Sequence, residues 1–433
     1  MLLNSQSLES NNPSRPPADT VRMNCQKPTI FRNFGGYMSF DLVVIGGGGH
    51  VGLPLAIMLS SRGVNTAIYD ISKSAVEGIN AGKMPFWEPG AEKLLQESIA
   101  TEQLIATTDP SVTGEADSLI VVIGTPVDEH LNPDPQAITL ALERCRPYLR
   151  NGQLLILRST IYPGVTRQVE KELEAWGLEI DVAFAPERIA EHNAVEELVS
   201  LPQIVSSRTQ KGFDRASELF SRIAPAIVRL SPEEAELAKL FTNTWRYLKF
   251  AMANQFYMMA ESKGLDYENI RSAIRQDYPR AADLPSAGFA AGPCLFKDTM
   301  QLAAFSDNNF HLGHSAMLVN EGMPSFIVSQ LESKYDLSNM TVGILGMAFK
   351  AGSDDIRSSL SYKLKRVLKF RAKNVLTTDP MVPASLDKDL IPLDQVLLKA
   401  DILILATPHR EYKDLITDKP LVDMWGITPR NLA

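Results

Sequence analysis

The chain has 433 residues, of which 45% are hydrophobic and 22% charged, so it is too long for one hydrophobic core and too apolar to be largely disordered. Its net charge of −8 argues against a general nucleic-acid-binding protein, which needs a basic surface to displace counterions. Three cysteines without a Cys-x-x-Cys pair exclude a disulfide scaffold and a zinc ribbon, and they favour a reducing, cytoplasmic compartment. No apolar run approaches the roughly 18 residues that a membrane span needs.

Residues 1–37 are rich in Ser, Asn and Pro and show neither helical nor strand periodicity. They also lack the apolar stretch of a secretory signal. We interpret them as a disordered extension without function, or as translated sequence upstream of a start at Met38.

A dinucleotide-binding turn is the first motif of the folded region. The apolar run Phe40–Ile45 leads into four glycines, and a helix-like stretch, Leu53–Arg62, follows. Gly47, Gly49 and Gly52 fit the Gly-x-Gly-x-x-Gly pattern, in which glycines let backbone N–H groups approach a pyrophosphate at a helix N-terminus. The strand before the turn and the helix after it support this interpretation over a simple connecting turn.

An acidic residue ends the next predicted strand. Residues 65–69 form a short apolar run, and Asp70 follows it, 18 residues after Gly52. A carboxylate there accepts hydrogen bonds from the adenosine ribose and repels a 2′-phosphate, which favours NAD over NADP. The alternative is a solvated aspartate at the end of a strand. Together with a further strand, Ser118–Ile123, the pattern predicts a doubly wound α/β domain.

The C-terminal third repeats this architecture without the glycine fingerprint. The strand Met340–Leu345 is followed by Val375–Thr378, which ends in Asp379, and by another strand after Ala400. We therefore expect a second α/β domain that binds something other than a whole dinucleotide.

The region between the two α/β units is predicted to be helical. Pro232–Lys263 has apolar residues near a 3.6 period and is long enough to connect two domains or to form a dimer interface. His311–Tyr335 has a further helical pattern, which Gly322 and Pro324 are expected to interrupt. The predicted fold is thus α/β, with two Rossmann-like doubly wound domains joined by a central helical domain. The expected boundaries are 38–225, 226–330 and 331–433.

Two groups of residues carry candidate chemistry. Lys239 and Asn243 lie four apart on the long helix and share a face, which suits either a cleft or an ordinary solvent-facing pair. Cys294 follows a run of small residues that leave room for a substrate. A free cysteine is more often a buried hydrophobe than a nucleophile, but Lys297 could hold a thiolate and Asp298 could orient a water.

At these residues the sequence resembles the nucleotide-sugar 6-dehydrogenases, the UDP-glucose/GDP-mannose dehydrogenase family. The resemblance runs from about residue 40 to the end of the chain. Its markers, in order, are Gly47–Pro54, Glu88-Pro89-Gly90, Gly124-Thr125-Pro126, Ser159-Thr160, Ala185-Pro186-Glu187-Arg188, Lys239-x-x-x-Asn243, Gly292-Pro293-Cys294-x-x-Lys297-Asp298, Phe349-Lys350 and Asp355-x-Arg357-x-Ser359.

The resemblance implies oxidation of a sugar C6 alcohol to a carboxylate with two NAD+, for surface polysaccharide synthesis. Lys239 and Asn243 would hold the C6 oxygen, and Cys294 would form a thiohemiacetal and then a thioester. Glu187 or Asp298 would place the hydrolytic water, with Thr160 assisting.

The same resemblance implies two sets of binding residues and a homodimer or larger homo-oligomer. The cofactor side would include Gly47, Gly49, His50, Val51, Gly52, Asp70, Thr125, Thr160, Glu187, Lys297 and Arg357. The nucleotide sugar would contact Glu187, Arg188, Lys239, Asn243, Phe289, Gly292, Phe349 and Lys350, and Arg280 of a neighbouring subunit.

Several residues depart from the family pattern. Pro293 precedes the cysteine where glycine is common, and Leu295-Phe296 replaces a frequent Leu-Pro or Phe-Pro pair. His192 stands where a glycine often follows Pro-Glu-Arg, so the family pattern does not predict the shape of the loop around the sugar. The Pro-Glu-Arg form and the Thr407-Pro408-His409 ending favour the UDP-N-acetylhexosamine branch.

Two other functions stay open on the sequence alone, and no metal, nucleic-acid or membrane partner is expected. A two-electron hydroxyacid dehydrogenase can combine a Rossmann domain with a Lys-x-x-x-Asn helix, but it leaves Cys294 and the second α/β domain unexplained. A non-catalytic nucleotide-binding protein would not need the polar residues of the expected site.

Overall fold

The computed structural model describes residues 20–21, 39–124 and 136–429, and it contains two parallel-type sheets joined by helices. The predicted extension, apart from a two-residue strand, and Thr125 lie outside the described residues. The first sheet, as described, has the strands β1 (Thr20–Val21), β2 (Phe40–Ile45), β3 (Thr66–Tyr69), β4 (Leu104–Thr107), β5 (Ala116–Val121), β6 (Leu154–Leu157), β7 (Asp181–Phe184), β8 (Gln203–Ser207) and β9 (Ile227–Leu230).

The first sheet is doubly wound about β2. Its strand order is β1-β9-β8-β7-β6-β5-β2-β3-β4, and the run from β7 to β4 is parallel. Only β8 against β7 and β1 against β9 pair antiparallel among the described strands. Its helices are α1 (Gly52–Ser60), α2 (Lys73–Asn80), α3 (Ala91–Ala100), α4 (Ala137–Cys145), α5 (Val165–Ala175), α6 (Ala194–Ser200) and α7 (Gln210–Phe220).

The sequence of β2 explains why this sheet is buried on both faces. Leu42 and Val44 enter one hydrophobic core, whereas Val43 and Ile45 enter another on the opposite face. Side chains alternate across a strand, so a continuous apolar run can fill two cores at once. Helices therefore cover both sides of the sheet, as a parallel sheet requires.

A helical region follows, with α8 (Pro232–Glu261), α9 (Tyr267–Arg275), α10 (Leu295–Phe305) and α11 (His311–Glu332). The side chain of Ser231 accepts a hydrogen bond from the Glu234 N–H and the Glu234 side chain accepts one from Ser231, which fixes the start of α8. Ala235 packs into the first domain, and Tyr257 packs into the core of the third. The long helix therefore joins the two α/β units, as predicted.

The end of the first sheet and the course of α11 differ from the sequence-based expectations. The strand β9 continues the first sheet to Leu230, beyond the expected limit at residue 225, because its backbone pairs with β8. The helix α11 is continuous through Gly322 and Pro324 to Glu332, so the expected interruption is absent. Pro324 is buried, and packing of α11 against α8 holds the helix together despite the missing N–H group.

The third unit repeats the parallel architecture on a smaller scale. Its elements are β10 (Thr341–Leu345), α12 (Leu360–Lys369), β11 (Asn374–Thr378), α13 (Leu393–Lys399), β12 (Ile402–Leu405) and β13 (Leu421–Asp423), in the strand order β11-β10-β12-β13. Short 3₁₀ helices lie at Pro110–Glu115, Pro279–Ala281, Leu337–Asn339 and Arg410–Tyr412. The predicted fold class, two Rossmann-like domains around a central helical domain, is confirmed. Within the described ranges, no helix combines the length and hydropathy needed to cross a membrane.

Candidate active site

The glycine turn after β2 leaves an open cradle at the start of α1. A Cβ on Gly52 would lie 2.6 Å from the Gly47 Cα, so only glycine lets the helix approach the turn this closely. A Cβ on Gly49 would instead meet no atom within 4 Å. Val51 is the N-cap residue of α1. The turn therefore has the space and the free helix end that a pyrophosphate requires.

A cavity of about 450 Å³ continues from this turn along the carboxyl ends of the strands. The Asp70 Oδ2 accepts a hydrogen bond from the Gly48 N–H at 2.8 Å and lines the cavity. Ile71 and Leu140, both exposed, form apolar walls. The cavity thus pairs a ribose-binding carboxylate with two surfaces that an adenine ring would cover, and the residues fit NAD.

His50, directly after the glycines, is enclosed by aromatic and charged neighbours. Its ring stacks on Phe86 with centroids 3.9 Å apart. Burial, and next the Arg357 guanidinium, lower the pKa of His50 to about 4, so the imidazole is neutral at pH 7. Arg357 belongs to the third domain, which therefore reaches the cofactor turn.

The structure brings the predicted catalytic residues of α8 and α10 together. Lys239 and Asn243 are both buried rather than solvent-facing. The Asn243 Nδ2 donates to the Asp298 Oδ2 at 2.5 Å, and the Lys297 Nζ lies 3.5 Å from the Asp298 Oδ1. Asp298 is fully buried, so these cationic and amide groups stabilise its charge.

Lys239 is an ammonium without a counterion in contact. Its side chain is only 7% exposed, and among the described residues no hydrogen bond or ion pair is found for it. A buried charge of this kind is costly unless a ligand pairs with it. Lys239 lies one helical turn before Asn243 on α8, and its charge opposes the rise in the pKa of the Cys294 thiol. The arrangement suits an oxyanion held beside the Lys239 ammonium.

Cys294 is the N-cap residue of α10 and is exposed to the cleft. Partial burial by surrounding atoms raises the pKa of its thiol, and the Asp298 carboxylate raises it further. Lys239 and Lys297 act in the opposite direction but do not prevail. Lys297, which lies 3.5 Å from the Asp298 Oδ1, acts on the thiol in the predicted direction, but its effect is smaller than those of burial and Asp298.

The loop before Cys294 is fixed from two sides. The side chain of Asn254 accepts a hydrogen bond from the Gly288 N–H at 2.8 Å and donates one to the Gly288 carbonyl at 3.0 Å. Gly292 has a φ of +100° and faces the Phe349 ring, which a Cβ would approach to 2.5 Å. Phe289, between the two glycines, is buried. The positions predicted to contact the sugar therefore meet Phe349 of the third domain.

Glu187 is buried and makes contacts within its own domain. Its Oε2 lies 2.5 Å from the Arg158 Nη2, and its Oε1 accepts from the Arg188 and Ile189 N–H groups. The Arg188 guanidinium donates to the Pro202 carbonyl. Both oxygens of Glu187 are thus engaged in shaping the loop, which favours a positioning role over water activation.

The residue Glu191 crosses to the third domain. Its Oε1 lies 3.1 Å from the Arg357 Nη2, and its carbonyl accepts a hydrogen bond from Lys350. Burial raises the pKa of Glu191, and Arg357 opposes this effect. Arg357 also pairs with Asp355 at 2.6 Å. The two predicted ligand-binding cations of the third domain therefore lie against the loop of the first.

Two predicted site residues, Arg280 and Thr160, make no described contact with Cys294 or Asp298. Arg280 is exposed and contacts Tyr278, outside the Cys294 cleft. Thr160 follows β6 by three residues and is partly buried. Sequence reasoning missed Arg158 and Glu191, and it noted His192 only as a departure from the family pattern. Two signals in the sequence could have indicated these residues. Arg158 is a charged residue directly after a buried strand, and Glu191 and His192 are polar residues shortly after the Pro-Glu-Arg motif.

In the part of the chain that the structure describes, no three His, Cys, Asp or Glu side chains are grouped so that they could hold a metal.

Comparison with known proteins settles the class of enzyme. Three parts of the UDP-glucose/GDP-mannose dehydrogenase family match: the NAD binding domain at residues 41–224, the central domain at 233–322 and the UDP binding domain at 343–430. The UDP-N-acetyl-D-mannosamine dehydrogenase of Pyrococcus horikoshii is 31% identical over 86% of this chain and 90% of its own. The chain belongs to this family.

Other relatives agree with this assignment. The UDP-N-acetyl-D-mannosamine dehydrogenase of Campylobacter jejuni is 30% identical over 88% of this chain and 98% of its own. The structure of a UDP-glucose dehydrogenase from Pyrobaculum islandicum superposes with a TM-score of 0.82, at 26% identity over 92% of this chain and 96% of that one. This family member is an NAD-dependent nucleotide-sugar dehydrogenase, and the predicted cofactor is confirmed. The matches do not support the hydroxyacid dehydrogenase or the non-catalytic protein.

Proposed function

We propose that this dehydrogenase oxidises the C6 hydroxyl of a UDP-N-acetylhexosamine, with UDP-N-acetylmannosamine as the favoured substrate. The observation that carries the proposal is the shared cleft of Lys239, Asn243, Asp298 and Cys294. The overall reaction converts the alcohol, two NAD+ and one water into the carboxylate, two NADH and three protons. The names of the Pyrococcus and Campylobacter relatives support the choice of sugar.

The glycine turn and Asp70 hold the cofactor, with the exposed side chains of Ile71 and Leu140 along its adenosine. NAD+ supplies a hydride acceptor for each of the two oxidations. The His50 imidazole, neutral at pH 7, adds no positive charge beside the turn. His50 packs instead as an aromatic wall against Phe86.

Lys239 and Asn243 position the C6 oxygen. The buried Lys239 ammonium would stabilise negative charge on this oxygen as the hydroxyl proton passes to solvent and the C6 hydride is lost to the hydride acceptor, NAD+. The Asn243 amide is oriented by Asp298, through the hydrogen bond from its Nδ2. The substrate oxygen thereby replaces the missing partner of Lys239.

Cys294 then captures the aldehyde. Its sulfur forms a bond to C6 as the thiol proton passes to the carbonyl oxygen, which gives a thiohemiacetal. The raised pKa of the thiol is compatible with this route, because the proton needs to leave only as the new bond forms. A second oxidation gives a thioester, and water then breaks the C–S bond and restores the thiol.

Asp298 is the better candidate to orient that water. Its Oδ1 is buried without a hydrogen-bond partner among the described residues and has only the longer contact with Lys297. The Glu187 Oε2 also has no hydrogen-bond partner among the described residues, but it lies only 2.5 Å from the Arg158 Nη2, and the Glu187 Oε1 accepts hydrogen bonds from backbone N–H groups. We therefore assign water positioning to Asp298 and loop positioning to Glu187. Thr160 remains a predicted assisting residue.

The enzyme is also proposed to form a homodimer through α8. Five large apolar side chains are exposed along this helix: Phe241, Trp245, Met252, Phe256 and Met259. A stripe of this length on a soluble surface marks a protein contact, and a second copy of α8 offers the same stripe. In this dimer, the exposed Arg280 would reach the substrate of the neighbouring subunit.

We place the domain boundaries near residues 231 and 333. A cytoplasmic location and a role in polysaccharide synthesis remain predictions.

The test counts NADH per sugar consumed, by absorbance at 340 nm. The panel is UDP-N-acetylmannosamine, UDP-N-acetylglucosamine, UDP-glucose, UDP-galactose and GDP-mannose. We expect two NADH per sugar, with the highest kcat/KM for UDP-N-acetylmannosamine. One NADH per sugar would show that oxidation stops at the aldehyde, and none with any sugar would refute the proposal. Cys294→Ala should form no carboxylate, and Cys145→Ala, in a buried cysteine of the first domain, is the matched control.

A further inference from the structure

His192 is held in a backbone conformation that side chains rarely adopt. Its φ is +67°, and the side chain is buried. The Glu88 carboxylate fixes this bend, because it accepts hydrogen bonds from the N–H groups of His192 at 2.9 Å and Ala194 at 2.8 Å. Glycine would take the same conformation without strain. The presence of histidine at this strained position indicates that its side chain has a functional role.

The imidazole bridges two domains with a defined tautomer. Its Nδ1 lies 2.7 Å from the Trp87 carbonyl oxygen, which can only accept, so Nδ1 carries the proton. In the neutral ring, Nε2 therefore accepts from the Ser353 hydroxyl at 2.9 Å. Ser353 is fully buried in the third domain and accepts in turn from the Asp355 N–H. One ring thus connects the two Rossmann-like units.

The same crossing touches both ligand-binding regions. The His192 ring lies 6.4 Å, edge to face, from the His50 ring of the cofactor turn. Its neighbour Glu191 contacts Lys350 and Arg357, which extend from the third domain. A displacement of His192 would consequently shift the cofactor turn and the nucleotide-sugar side relative to one another.

We propose that His192 is a positioning residue that fixes how the cofactor-binding domain meets the third domain. It thereby sets the alignment between the cofactor and the sugar during hydride transfer. The inference rests on the proposed function for its catalytic readout. Its structural content, the hydrogen bond between His192 and Ser353 across the domains, can be tested without turnover.

The first test compares His192→Gly, Ser353→Ala and the double variant. We expect kcat to fall by about 10- to 100-fold in each single variant, since small misalignments of reacting groups have effects of this size. The double variant should be no slower than either single one, because both remove the same hydrogen bond. The thermal unfolding midpoint of His192→Gly should fall only modestly, because relief of the positive φ offsets part of the lost packing and hydrogen bonds.

Two further variants separate positioning from folding. His192→Asn retains a group near the Trp87 carbonyl but is too short for Ser353, so its kcat should fall as in His192→Gly. Glu102→Gly is the matched control, since Glu102 has a φ of +57° at the exposed end of α3. Its kcat should stay at the wild-type value. Wild-type kcat in His192→Gly, or additive losses in the double variant, would overturn the proposal.

A binding experiment keeps this inference distinct from the proposed function. NADH affinity is measured by fluorescence with and without saturating UDP, in the wild type and in His192→Gly. We expect UDP to change NADH affinity in the wild type and this change to shrink by at least half in the variant. Equal changes in both proteins, or none in the wild type, would refute the role of His192. Failure of all sugars to produce NADH would refute only the proposed reaction.

Discussion

Replacing Gly292 by alanine tests whether the third domain determines the shape of the cysteine loop. Gly292 lies two residues before Cys294, has a φ of +100° and is buried against Phe349. Alanine at position 292 would be destabilised by the positive φ and also by the close contact between its methyl group and the Phe349 ring. Gly264, after α8, has a φ of +68° but would place a Cβ in open space. Gly264→Ala therefore isolates the cost of the backbone.

The expected magnitudes follow from the contacts. A positive φ costs an alanine about 1–2 kcal/mol at either position. At Gly292 the methyl carbon would lie 2.5 Å from the Phe349 Cδ2, about 1 Å inside ordinary contact. Overpacking of this kind costs roughly 1–3 kcal/mol more. We expect destabilisation of about 2–5 kcal/mol for Gly292→Ala and about 1–2 kcal/mol for Gly264→Ala.

Urea unfolding followed by fluorescence measures the stabilities, and NADH formation measures activity. Because Phe349 must move, kcat/KM for the nucleotide sugar should fall by about tenfold or more in Gly292→Ala. Gly264→Ala should retain wild-type kcat/KM. The reasoning fails if the two variants lose the same stability and both remain fully active, because the Phe349 ring would then not confine the loop.

Three further predictions concern charged and titrating groups. Arg158→Met should destabilise the first domain by about 3–5 kcal/mol, because it leaves the Glu187 carboxylate buried without its cation. Thermal unfolding measures this loss of stability. The double variant Arg158→Met/Glu187→Leu should recover much of it, because no unpaired buried charge remains. The rate of Cys294 alkylation by iodoacetamide, followed by mass spectrometry as a function of pH, should have its midpoint above the ordinary thiol pKa of about 8.5. Asp298→Asn should lower this midpoint, because it removes a negative charge beside the sulfur. An ordinary midpoint in the wild type would contradict the argument from burial and charge. Burial opposes ionisation of Asp379, but hydrogen bonds from His409 and backbone N–H groups lower the pKa of Asp379 to about 2. Its stabilising effect, about 2 kcal/mol, should be complete above pH 4 and disappear as the pH falls towards 2, so urea unfolding of Asp379→Asn and wild type should converge in acid.

The parts of the fold that depend on local pattern were predictable. The strand β2 has the predicted bounds, because a strand buried on both faces reads as a continuous apolar run between glycines. The strand β5 begins and ends two residues before its predicted limits, since its last apolar residues already belong to the loop. Pro324 was misread because a local helix-breaking rule does not include the packing partner, α8.

Long-range pairing explains what the sequence could not show. Lys239 and Asn243 were expected to share a face, but burial of that face depends on α10, more than fifty residues later. Arg158 and Glu187 are separated by 29 positions, and no periodicity links them. The departure at His192 was visible, yet only the fold shows that the residue has a positive φ and faces Ser353.

The position of the Cys294 sulfur depends on the third domain as well as on the central helices. Asn254 and Asn243 hold the loop and α10 from the α8 side. Phe349 confines the loop at Gly292, and Ser353 fixes the opposite wall of the cleft through His192. Because one segment of the third domain makes both contacts, a change in its position would move the cysteine loop and the cofactor turn together. Substitutions at Ser353, which does not contact the reacting atoms, should therefore reduce kcat more than they reduce the affinity for either ligand.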